Sequence, residues 1–161
     1  MAIKNWAEIY QGDLGIALSD TFTSDVFFRD FNKFYAKLYD ATRQDSGDAI
    51  VYGEKAIRHY EKLGIDTKTK AIAFSDGLNA EEGMRIHNHF KDRIGVIIAV
   101  GTNFSNDCGV MPLNIVIKMM ACKPNGPDDD WVPAIKLSDT AGKNSGDKEM
   151  IELAKKTLGV D

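Results

Sequence analysis

Residues 71–79, AIAFSDGLN, carry the pattern from which the fold can be predicted. Four apolar residues predict a short buried strand, and Ser75-Asp76-Gly77 predicts a polar turn. Asn79, with Glu82 three residues later, is typical of a capping-box start for a helix. A strand that leads through a polar turn into a helix is the repeating unit of α/β proteins.

The same unit recurs on both sides of this segment. Residues 14–19 form a nearly all-apolar run that ends at Asp20, which predicts a buried parallel strand. A single helix should follow from Thr23 or Ser24, with an apolar stripe at Phe27, Phe31, Phe34, Tyr35 and Leu38. Downstream, residues 94–100 predict another strand, which runs directly into Gly101.

Three further elements are predicted from caps, turns and apolar runs. Asp48 should cap a helix that ends at Gly64 and that turns Ile50, Ile57 and Tyr60 toward the core. Residues 113–120 and 132–137 predict two strands that the turn-rich segment 123–130 joins in a hairpin. A last helix should span about 147–158 and end at Gly159.

This order predicts an α/β fold with a mostly parallel sheet, right-handed crossovers and outer helices. In such folds ligands bind at the carboxyl ends of the strands, where the loops converge. The side chains at these ends are polar or charged: Asp20, Arg43 with Asp45, Asp76, and Gly101-Thr102-Asn103. We therefore expect a binding site at this end of the sheet.

Each of these groups also has a purely structural interpretation. An aspartate after a strand often caps a helix or forms a turn, which is the favoured role for Asp48 and an open alternative for the others. Gly101-Thr102-Asn103 could be a simple turn or could offer backbone N–H groups and a hydroxyl to a phosphate. Lys118 and Lys136, predicted inside strands, either face outward or need an anionic partner.

Composition and charge narrow the class of ligand. The 161 residues are 43% hydrophobic and 27% charged, as expected for one globular domain. The formal charge of −4, without a run of Lys or Arg, argues against nucleic acid or an anionic membrane as partner. We expect a small-molecule ligand.

The cysteines and the N-terminus indicate the cellular compartment, and the spacing of the histidines bears on whether they could form a metal site. Cys108 and Cys122 do not form a C-x-x-C motif, and residues 1–10 lack the features of a secretory signal, which favours the cytoplasm. The three histidines, His59, His87 and His89, are not spaced to place two imidazoles on one helix face, so a histidine metal site is not expected.

The predicted site suits a sugar phosphate. Aspartate oxygens can accept hydrogen bonds from paired ribose hydroxyls, can hold Mg²⁺ on a pyrophosphate, and can stabilise an oxocarbenium-like centre. The planar guanidinium of Arg43 can stack on an aromatic ring or bind an acid through two hydrogen bonds. A serine, cysteine or histidine constellation for acyl transfer is not evident.

Several sequence strings, taken in order, resemble one family. They are GDLGIALSDTFTSDVFFRDF, RQDSGD, GEKAIRHYEKLGID, IAFSDGLN, VGTNFSND, PLNIVIKM and KLSDTAGK, which lie in this order between residues 12 and 143. In this order they resemble the nicotinate phosphoribosyltransferase family.

The resemblance implies an enzyme of NAD salvage. It would transfer phosphoribose from phosphoribosyl pyrophosphate to nicotinate, giving nicotinate mononucleotide and pyrophosphate, with coupled ATP hydrolysis and Mg²⁺. Arg43 would stand beside the pyridine ring and Asp45 would contact the ribose side and Mg²⁺, with Asp20 as a third catalytic group. The other implied binding residues are Ser46, Gly47, Asp76, Gly77, Gly101, Thr102, Asn103, Lys136 and Lys143.

Family members are more than twice as long as this chain. A closed α/β barrel takes about 250 residues, so residues 1–161 are expected to form the C-terminal part of an irregular barrel domain, together with a hairpin and a helix. The resemblance places the N-terminal domain, the first strands and the phosphorylated histidine outside this chain. We therefore expect the chain alone to be inactive and to need the other half, or self-association, as a partner.

Two other functional classes stay open at this stage. The chain could be a non-catalytic module that binds phosphate or another protein. It could also be a barrel-type sugar-phosphate lyase or isomerase, which would need a general base such as a lysine at a strand end. Lys118 and Lys136 are the candidates, and neither is predicted to lie at a strand end.

Overall fold

The computed structural model describes residues 2–113 and 115–160 as an α/β structure. The described helices are α1 Ala2–Tyr10, α2 Ser24–Asp30, α3 Lys33–Leu38, α4 Ala49–Lys62, α5 Ala80–Phe90, α6 Thr102–Ser105 and α7 Lys148–Leu158, with a 3₁₀ helix at Thr67–Thr69. The strands are β1 Ile16–Leu18, β2 Ala41–Gln44, β3 Ala71–Phe74, β4 Gly95–Ile98, β5 Ala121–Cys122 and β6 Val132–Pro133.

The first four strands form one parallel sheet in the order β1-β2-β3-β4. Leu18, Arg43, Ala73 and Ile97 are paired across the four strands and form one row of the sheet. Strands β5 and β6 form a separate antiparallel pair. The predicted fold class is confirmed, and within the described residues the parallel sheet is open rather than closed into a barrel.

The core lies between one face of the sheet and the helices that follow the strands. Alternate residues of each strand point to this face, among them Ala17, Ile72 and Phe74. On α4, Ala56 and Tyr60 lie one turn apart on the buried stripe and are fully buried. The carboxyl ends of the strands are thereby held side by side at one edge of the sheet.

The helix caps predicted at Asp48 and Asn79 are confirmed, and Asp147, predicted only as the first residue of the last helix, is a third cap. The side chains of Asp48, Asn79 and Asp147 each accept a hydrogen bond from the backbone N–H three residues later, at the starts of α4, α5 and α7. Gly64 and Gly159 follow the ends of α4 and α7 with φ of 67° each, a conformation that glycine adopts without steric cost.

The single helix predicted after Thr23 is wrong, because the chain forms two helices there. Thr23 caps α2, but the carboxamide of Asn32 accepts from the N–H groups of Phe34 and Tyr35 and starts α3. Phe31 lies at the junction, fully buried and stacked on Phe27 with 4.6 Å between ring centroids. The change of direction leaves Phe34 exposed, contrary to the predicted stripe.

The strand predicted at residues 113–120 is also wrong, although the hairpin exists. The strand that pairs is Ala121–Cys122, just after the predicted range, and its partner Val132–Pro133 is a shortened form of the strand predicted at 132–137. Residues 113 and 115–119 are exposed and are not paired with a strand among the described residues, whereas the carbonyl of Met120 accepts from the N–H of Ala134 over 2.9 Å. Residue 114 lies outside the described residues. A strand needs a neighbour for its backbone N–H and C=O groups, and the pattern of side chains does not supply one.

The prediction of a buried strand at residues 14–19 holds for one face only. Ala17 points into the core, whereas Ile16 and Leu18 are nearly half exposed on the other face, together with Ile97 of β4. We call this surface, formed by Ile16, Leu18 and Ile97, the open face. Strand β1 is also an edge of the sheet, and among the described residues its second apolar face is only about half covered.

One prediction concerns the ion pairs that join α4 to the end of α5. Glu54 accepts from both terminal nitrogens of Arg93, at 2.5 and 2.9 Å, and lies 2.9 Å from His89 Nε2. These bonds lower the pKa of Glu54 from 4.5 to about 2. Its contribution to stability should therefore be complete above pH 4.5 and should disappear as the pH falls through 2.

Accordingly, Glu54→Gln should lower the free energy of unfolding by about 1 kcal/mol at pH 7, after allowance for solvent screening. Urea unfolding at several pH values measures this difference, which should shrink as the pH falls toward 2. Glu152→Gln, which removes a looser pair with Lys155 at 3.7 Å, is the matched control and should change little. A difference between wild type and Glu54→Gln that is independent of pH would contradict the assignment.

Among the described residues, no helix is both long enough and apolar enough to cross a bilayer.

Candidate functional site

A buried contact joins the carboxyl ends of β1 and β2. The hydroxyl of Ser46 donates to Asp20 Oδ2 over 2.5 Å, and both residues are almost completely buried. Ser19, which precedes Asp20, donates its hydroxyl and its N–H to the carbonyl of Arg43. The two strand ends that the sequence predicted to converge are therefore linked directly.

Beside this contact lies a second cluster around Arg43. Its Nε donates to Ser75 Oγ over 2.9 Å, and its Nη2 donates to Asp45 Oδ1 over 3.1 Å. The Ser75 hydroxyl also lies 2.8 Å from the carbonyl oxygen of Gln44 and 3.1 Å from Asp45 Oδ1. Arg43 and Asp45 thus present a fixed cation and carboxylate at the strand ends, with half of the guanidinium side chain exposed.

Lys136 connects the two clusters. Its amino nitrogen lies 3.7 Å from Asp20 Oδ2 and 3.9 Å from Asp45 Oδ2. The predicted strand placement of Lys136 is wrong, because the chain leaves β6 after Pro133 and Lys136 forms only a single bridge with Ser145. That bridge turns the amino group toward the two aspartates, so the interpretation with an anionic partner is confirmed.

The segment after Lys136 covers the turn at residues 45–48. The N–H of Gly47 donates to Thr140 Oγ1, and Asp139 accepts from the N–H of Ser24 over 2.8 Å. Gly47 has a φ of 77°, and a side chain there would come within 3.2 Å of Asp139. A glycine is therefore required both by the turn and by the segment that packs on it.

An open cleft of about 320 Å³ lies next to these contacts. Its lining residues carry amino, hydroxyl and amide groups together with one carboxylate: Asp45, Ser46, Lys118, Lys136, Ser138, Gly142, Lys143 and Asn144. Three lysines against one aspartate make the cleft suited to an anion. Lys118 reaches it from the segment 113–120, although that segment is not a strand.

The turn after β3 approaches the same cleft through an ion pair. Asp76 Oδ1 lies 3.7 Å from the amino nitrogen of Lys143, which itself lines the cleft. Gly77 has a φ of 63°, and nothing lies within 4 Å of the position that a side chain would take. The backbone at Gly77 is thus open to an approaching ligand.

The turn after β4 contacts its neighbour at one point. Asn103 Nδ2 donates to the carbonyl of Leu78 over 3.0 Å, which joins this turn to the turn after β3. Gly101 and Thr102 are exposed, and they begin α6, a helix of one turn. The structure thus places residues 101–103 beside the strand ends but not among the residues that line the cleft.

Three residues of this region were not singled out from the sequence. Ser75 was considered only as part of a turn, although its hydroxyl bonds Arg43. Asp139 and Thr140 lie in the string KLSDTAGK, where only the lysines were named. Serine, aspartate and threonine are frequent in turns, so the composition of the two strings could not separate these residues from ordinary turn formers.

The carboxylates at the cleft determine whether a magnesium ion could be held there. The described residues contain no group of three His, Cys, Asp or Glu side chains that could hold a metal. A Mg²⁺ ion carried by a pyrophosphate needs only one or two protein carboxylates. Asp45 could supply such a carboxylate, because its side chain is one-third exposed at the cleft.

Comparisons with known proteins point to one family. The family model described as the nicotinate phosphoribosyltransferase (NAPRTase) family matches residues 1–161. A protein of Chromohalobacter salexigens named nicotinate phosphoribosyltransferase is 51% identical over 160 residues, which are 99% of this chain and 40% of that protein. A protein of the same name from Desulforapulum autotrophicum is 48% identical over 157 residues, again 40% of its length.

Solved structures give the same result. The crystal structure of nicotinate phosphoribosyltransferase from Porphyromonas gingivalis superposes with a TM-score of 0.94 at 46% identity, and covers 99% of this chain and 41% of that one. A structure from Saccharomyces cerevisiae, described as a putative nicotinate phosphoribosyltransferase, has a TM-score of 0.87 at 32% identity and 39% coverage of its own chain. The chain therefore spans about 40% of the length of the relatives it matches.

Proposed function

This chain belongs to the nicotinate phosphoribosyltransferase family, and from that premise we propose that it carries part of a site for phosphoribosyl transfer. The reaction is the transfer of phosphoribose from phosphoribosyl pyrophosphate to nicotinate, which yields nicotinate mononucleotide and pyrophosphate. Because the chain spans about 40% of its relatives, the complete activity needs further polypeptide.

The observation that carries this proposal is the lysine-rich cleft beside two carboxylates. Lys118, Lys136 and Lys143 line the cleft, and Lys136 lies within 4 Å of both Asp20 and Asp45. A phosphoribosyl pyrophosphate presents anionic phosphates on one side and ribose hydroxyls on the other. Ammonium groups of lysines complement the phosphates, and carboxylate oxygens accept hydrogen bonds from the ribose hydroxyls.

Each strand-end residue has a role in this proposal. Asp45 and Asp20 place negative charge near the ribose, where it stabilises an oxocarbenium-like centre as pyrophosphate leaves. The guanidinium of Arg43, already oriented by Ser75 and Asp45, stands beside the pyridine ring of nicotinate. Ser46 and Gly47 form the turn that holds these groups in place.

The turns after β3 and β4 complete the binding site in this proposal. Asp76 and Gly77 lie beside the cleft through Lys143 and would contact the ribose. Gly101, Thr102 and Asn103 would bind the 5′-phosphate through backbone N–H groups and a hydroxyl, to which glycine permits close approach. The hydrogen bond from Asn103 to Leu78 supports this placement because it joins the two turns.

Magnesium and ATP belong to the proposal as well. Asp45 would hold Mg²⁺ together with the pyrophosphate, and the ion would neutralise the leaving group. Coupled ATP hydrolysis follows from the family resemblance, and the phosphorylated histidine would lie on the remaining polypeptide. A titration with phosphoribosyl pyrophosphate in Mg²⁺ and in EDTA tests the metal, since binding should weaken without it.

A partner surface is part of the proposed function. Residues 1–161 would form the C-terminal part of the barrel domain, and the open face supports the need for a covering surface. A polypeptide that corresponds to the rest of the relatives' length would be one such partner, and a second copy of the chain would be another. A place in NAD salvage follows from the reaction, and a cytoplasmic location stays a prediction.

Complementation tests the function. We expect the purified 161-residue chain to form no nicotinate mononucleotide by itself. Nicotinate mononucleotide should form when the first part of the Chromohalobacter relative, about 60% of its length, is added as a separate chain. Size-exclusion chromatography of the mixture should show a complex. Turnover by the chain alone would refute the need for a partner, whereas binding of phosphoribosyl pyrophosphate without turnover in the mixture would favour the non-catalytic module.

Asp45→Asn should weaken the binding of phosphoribosyl pyrophosphate about tenfold, a difference of about 1.4 kcal/mol, because it removes a charge at the ribose or the metal. Stability should change little, since an exposed ion pair contributes at most about 1 kcal/mol. Isothermal titration measures the affinity. Asp128→Asn, in the hairpin turn, makes the same chemical change outside the cleft and is the control; an Asp45→Asn isotherm equal to that of wild type would refute the role.

A further inference from the structure

A short connection carries two of the three lysines of the cleft. We call residues 137–140 the strap; Lys136 lies immediately before it, and Lys143 lies three residues after it. Both lysines line the cleft, and the amino nitrogen of each lies 3.7 Å from a carboxylate oxygen at the strand ends. The strap itself is neither helix nor strand, so its position depends on its own contacts with the rest of the molecule.

The strap is bound on one side to the segment that follows β1. The N–H of Leu137 donates to the carbonyl of Thr21 over 2.9 Å, and the Leu137 side chain is fully buried. Asp139 Oδ1 accepts from the N–H of Ser24 over 2.8 Å. Ser24 is buried as well, and its hydroxyl accepts from the amino group of Lys55 on α4 over 3.0 Å. The segment therefore presents a fixed donor to Asp139.

On the other side, the strap is bound to the turn that follows β2. The N–H of Gly47 donates to Thr140 Oγ1 over 3.1 Å, and the N–H of Asp139 donates to Ser46 Oγ over 3.4 Å. The same Ser46 hydroxyl donates to Asp20 Oδ2, the oxygen that approaches a cleft lysine. One hydroxyl thus couples the backbone of the strap to the buried carboxylate at the cleft.

Asp139 is the residue at which these two sets of contacts meet. Its side chain bonds the segment after β1, and its N–H bonds the turn after β2. We propose that Asp139 is a positioning residue, which holds the strap so that the amino groups of Lys136 and Lys143 converge on the cleft. The purpose of this arrangement rests on the proposed function, in which ammonium groups bind the phosphates of phosphoribosyl pyrophosphate. The arrangement itself is a property of the folded chain.

This role of Asp139 depends on an acceptor oxygen rather than on charge. The donor is a neutral backbone N–H, and the carbonyl oxygen of an asparagine can accept the same hydrogen bond. Asp139→Asn therefore keeps the bond, whereas Asp139→Ala leaves the buried N–H of Ser24 without its acceptor. Both variants change the net charge equally, so the difference between them isolates the hydrogen bond.

Hydrogen exchange of the unmodified chain tests the bond from Ser24 to Asp139. Ser24 is the first residue of α2, so its N–H has no acceptor within the helix, and the Asp139 carboxylate supplies one. We expect this amide to exchange about tenfold or more slowly than in an unstructured peptide. An unprotected Ser24 amide would overturn the proposal. Because the measurement uses the unmodified chain, it stands even if Asp139→Ala does not fold.

Acetylation of the folded chain tests whether Asp139 positions Lys136. Wild type and the two variants are treated with a small amount of acetic anhydride, and the modification rate of each lysine is read by mass spectrometry. Lys136 should react about threefold faster in Asp139→Ala, as expected when a partly exposed ion pair is released. Its rate in Asp139→Asn should match wild type, and so should the rate of the exposed Lys148 in both variants. An unchanged Lys136 in Asp139→Ala, or an equal rise at Lys148, would overturn the proposal.

Titration with phosphoribosyl pyrophosphate connects the positioning to the proposed function. Asp139→Ala should weaken binding about tenfold, because the lysines no longer converge on the phosphates, whereas Asp139→Asn should bind as wild type does. If only charge mattered, loss of a carboxylate near an anionic ligand would strengthen binding in both variants. Unchanged or tighter binding by Asp139→Ala would overturn the proposal. If wild type itself does not bind, the proposed function fails, and acetylation and hydrogen exchange still decide the role of Asp139.

Discussion

Lys136→Met should weaken the binding of phosphoribosyl pyrophosphate by roughly 30- to 150-fold, equivalent to about 2–3 kcal/mol. The amino group of Lys136 lies 3.7 Å from Asp20 and 3.9 Å from Asp45. Its removal leaves two carboxylates without their shared cation, so the cleft repels the pyrophosphate that it should attract. Isothermal titration at constant ionic strength measures the loss.

Lys123→Met is the matched control for this prediction. Lys123 follows β5 and contacts the carbonyl of Pro127 and the ring of Trp131, away from the cleft. The variant makes the same change of net charge as Lys136→Met. Because Lys123 lies away from the cleft, its loss should alter the affinity for phosphoribosyl pyrophosphate less than twofold. Equal losses in the two variants would show that net charge, rather than the position of Lys136, determines binding.

The largest effect on stability is expected at Phe90. Its ring is fully buried at the end of α5 and stacks on Phe74 with 5.6 Å between centroids. Gly53 of α4 lies directly against the ring, where a side chain could not fit. Phe90→Ala should therefore lower the free energy of unfolding by about 3–5 kcal/mol, through lost apolar burial and the cavity that remains.

Urea unfolding followed by circular dichroism measures this difference. Met84→Ala is the control on the same helix, because the Met84 side chain is more than half exposed. It should cost less than about 0.5 kcal/mol. A Phe90→Ala cost close to that of Met84→Ala would mean that the α4–α5 contact does not anchor the core.

The features predicted correctly from the sequence are those that depend on neighbouring residues. The caps at Asp48 and Asn79 act over three residues, and the alternation of strands with helices is visible within each segment. The break at Asn32 is equally local, since its side chain bonds the two N–H groups that follow. The apolar periodicity across Phe31 concealed it, because both helices contribute to one continuous core.

The features predicted wrongly depend on distant residues. Residues 113–120 have a strand-forming composition, but a strand also needs a neighbouring backbone, and within the described part of the chain a paired strand forms only at Ala121–Cys122. The position of Lys136 also depends on distant residues. No pattern in the neighbouring sequence indicates that its amino nitrogen lies within 4 Å of the carboxylate of Asp20, which is 116 residues earlier. The proximity of the side chains at the strand ends was predictable, but the contact of Lys136 with Asp20 and Asp45 was not.

The exposed segment has a consequence for oxidation. Met111, Met119 and Met120 have exposed fractions of 88%, 69% and 60%, so their thioethers are open to peroxide, which converts them to the sulfoxide. Met84 is also exposed, but it lies on the outer side of α5. A chain that covers residues 111–120 would shield the first three sulfur atoms and leave Met84 reactive. The ratio of sulfoxide formed at these positions, read by mass spectrometry, would therefore report how completely the segment is covered.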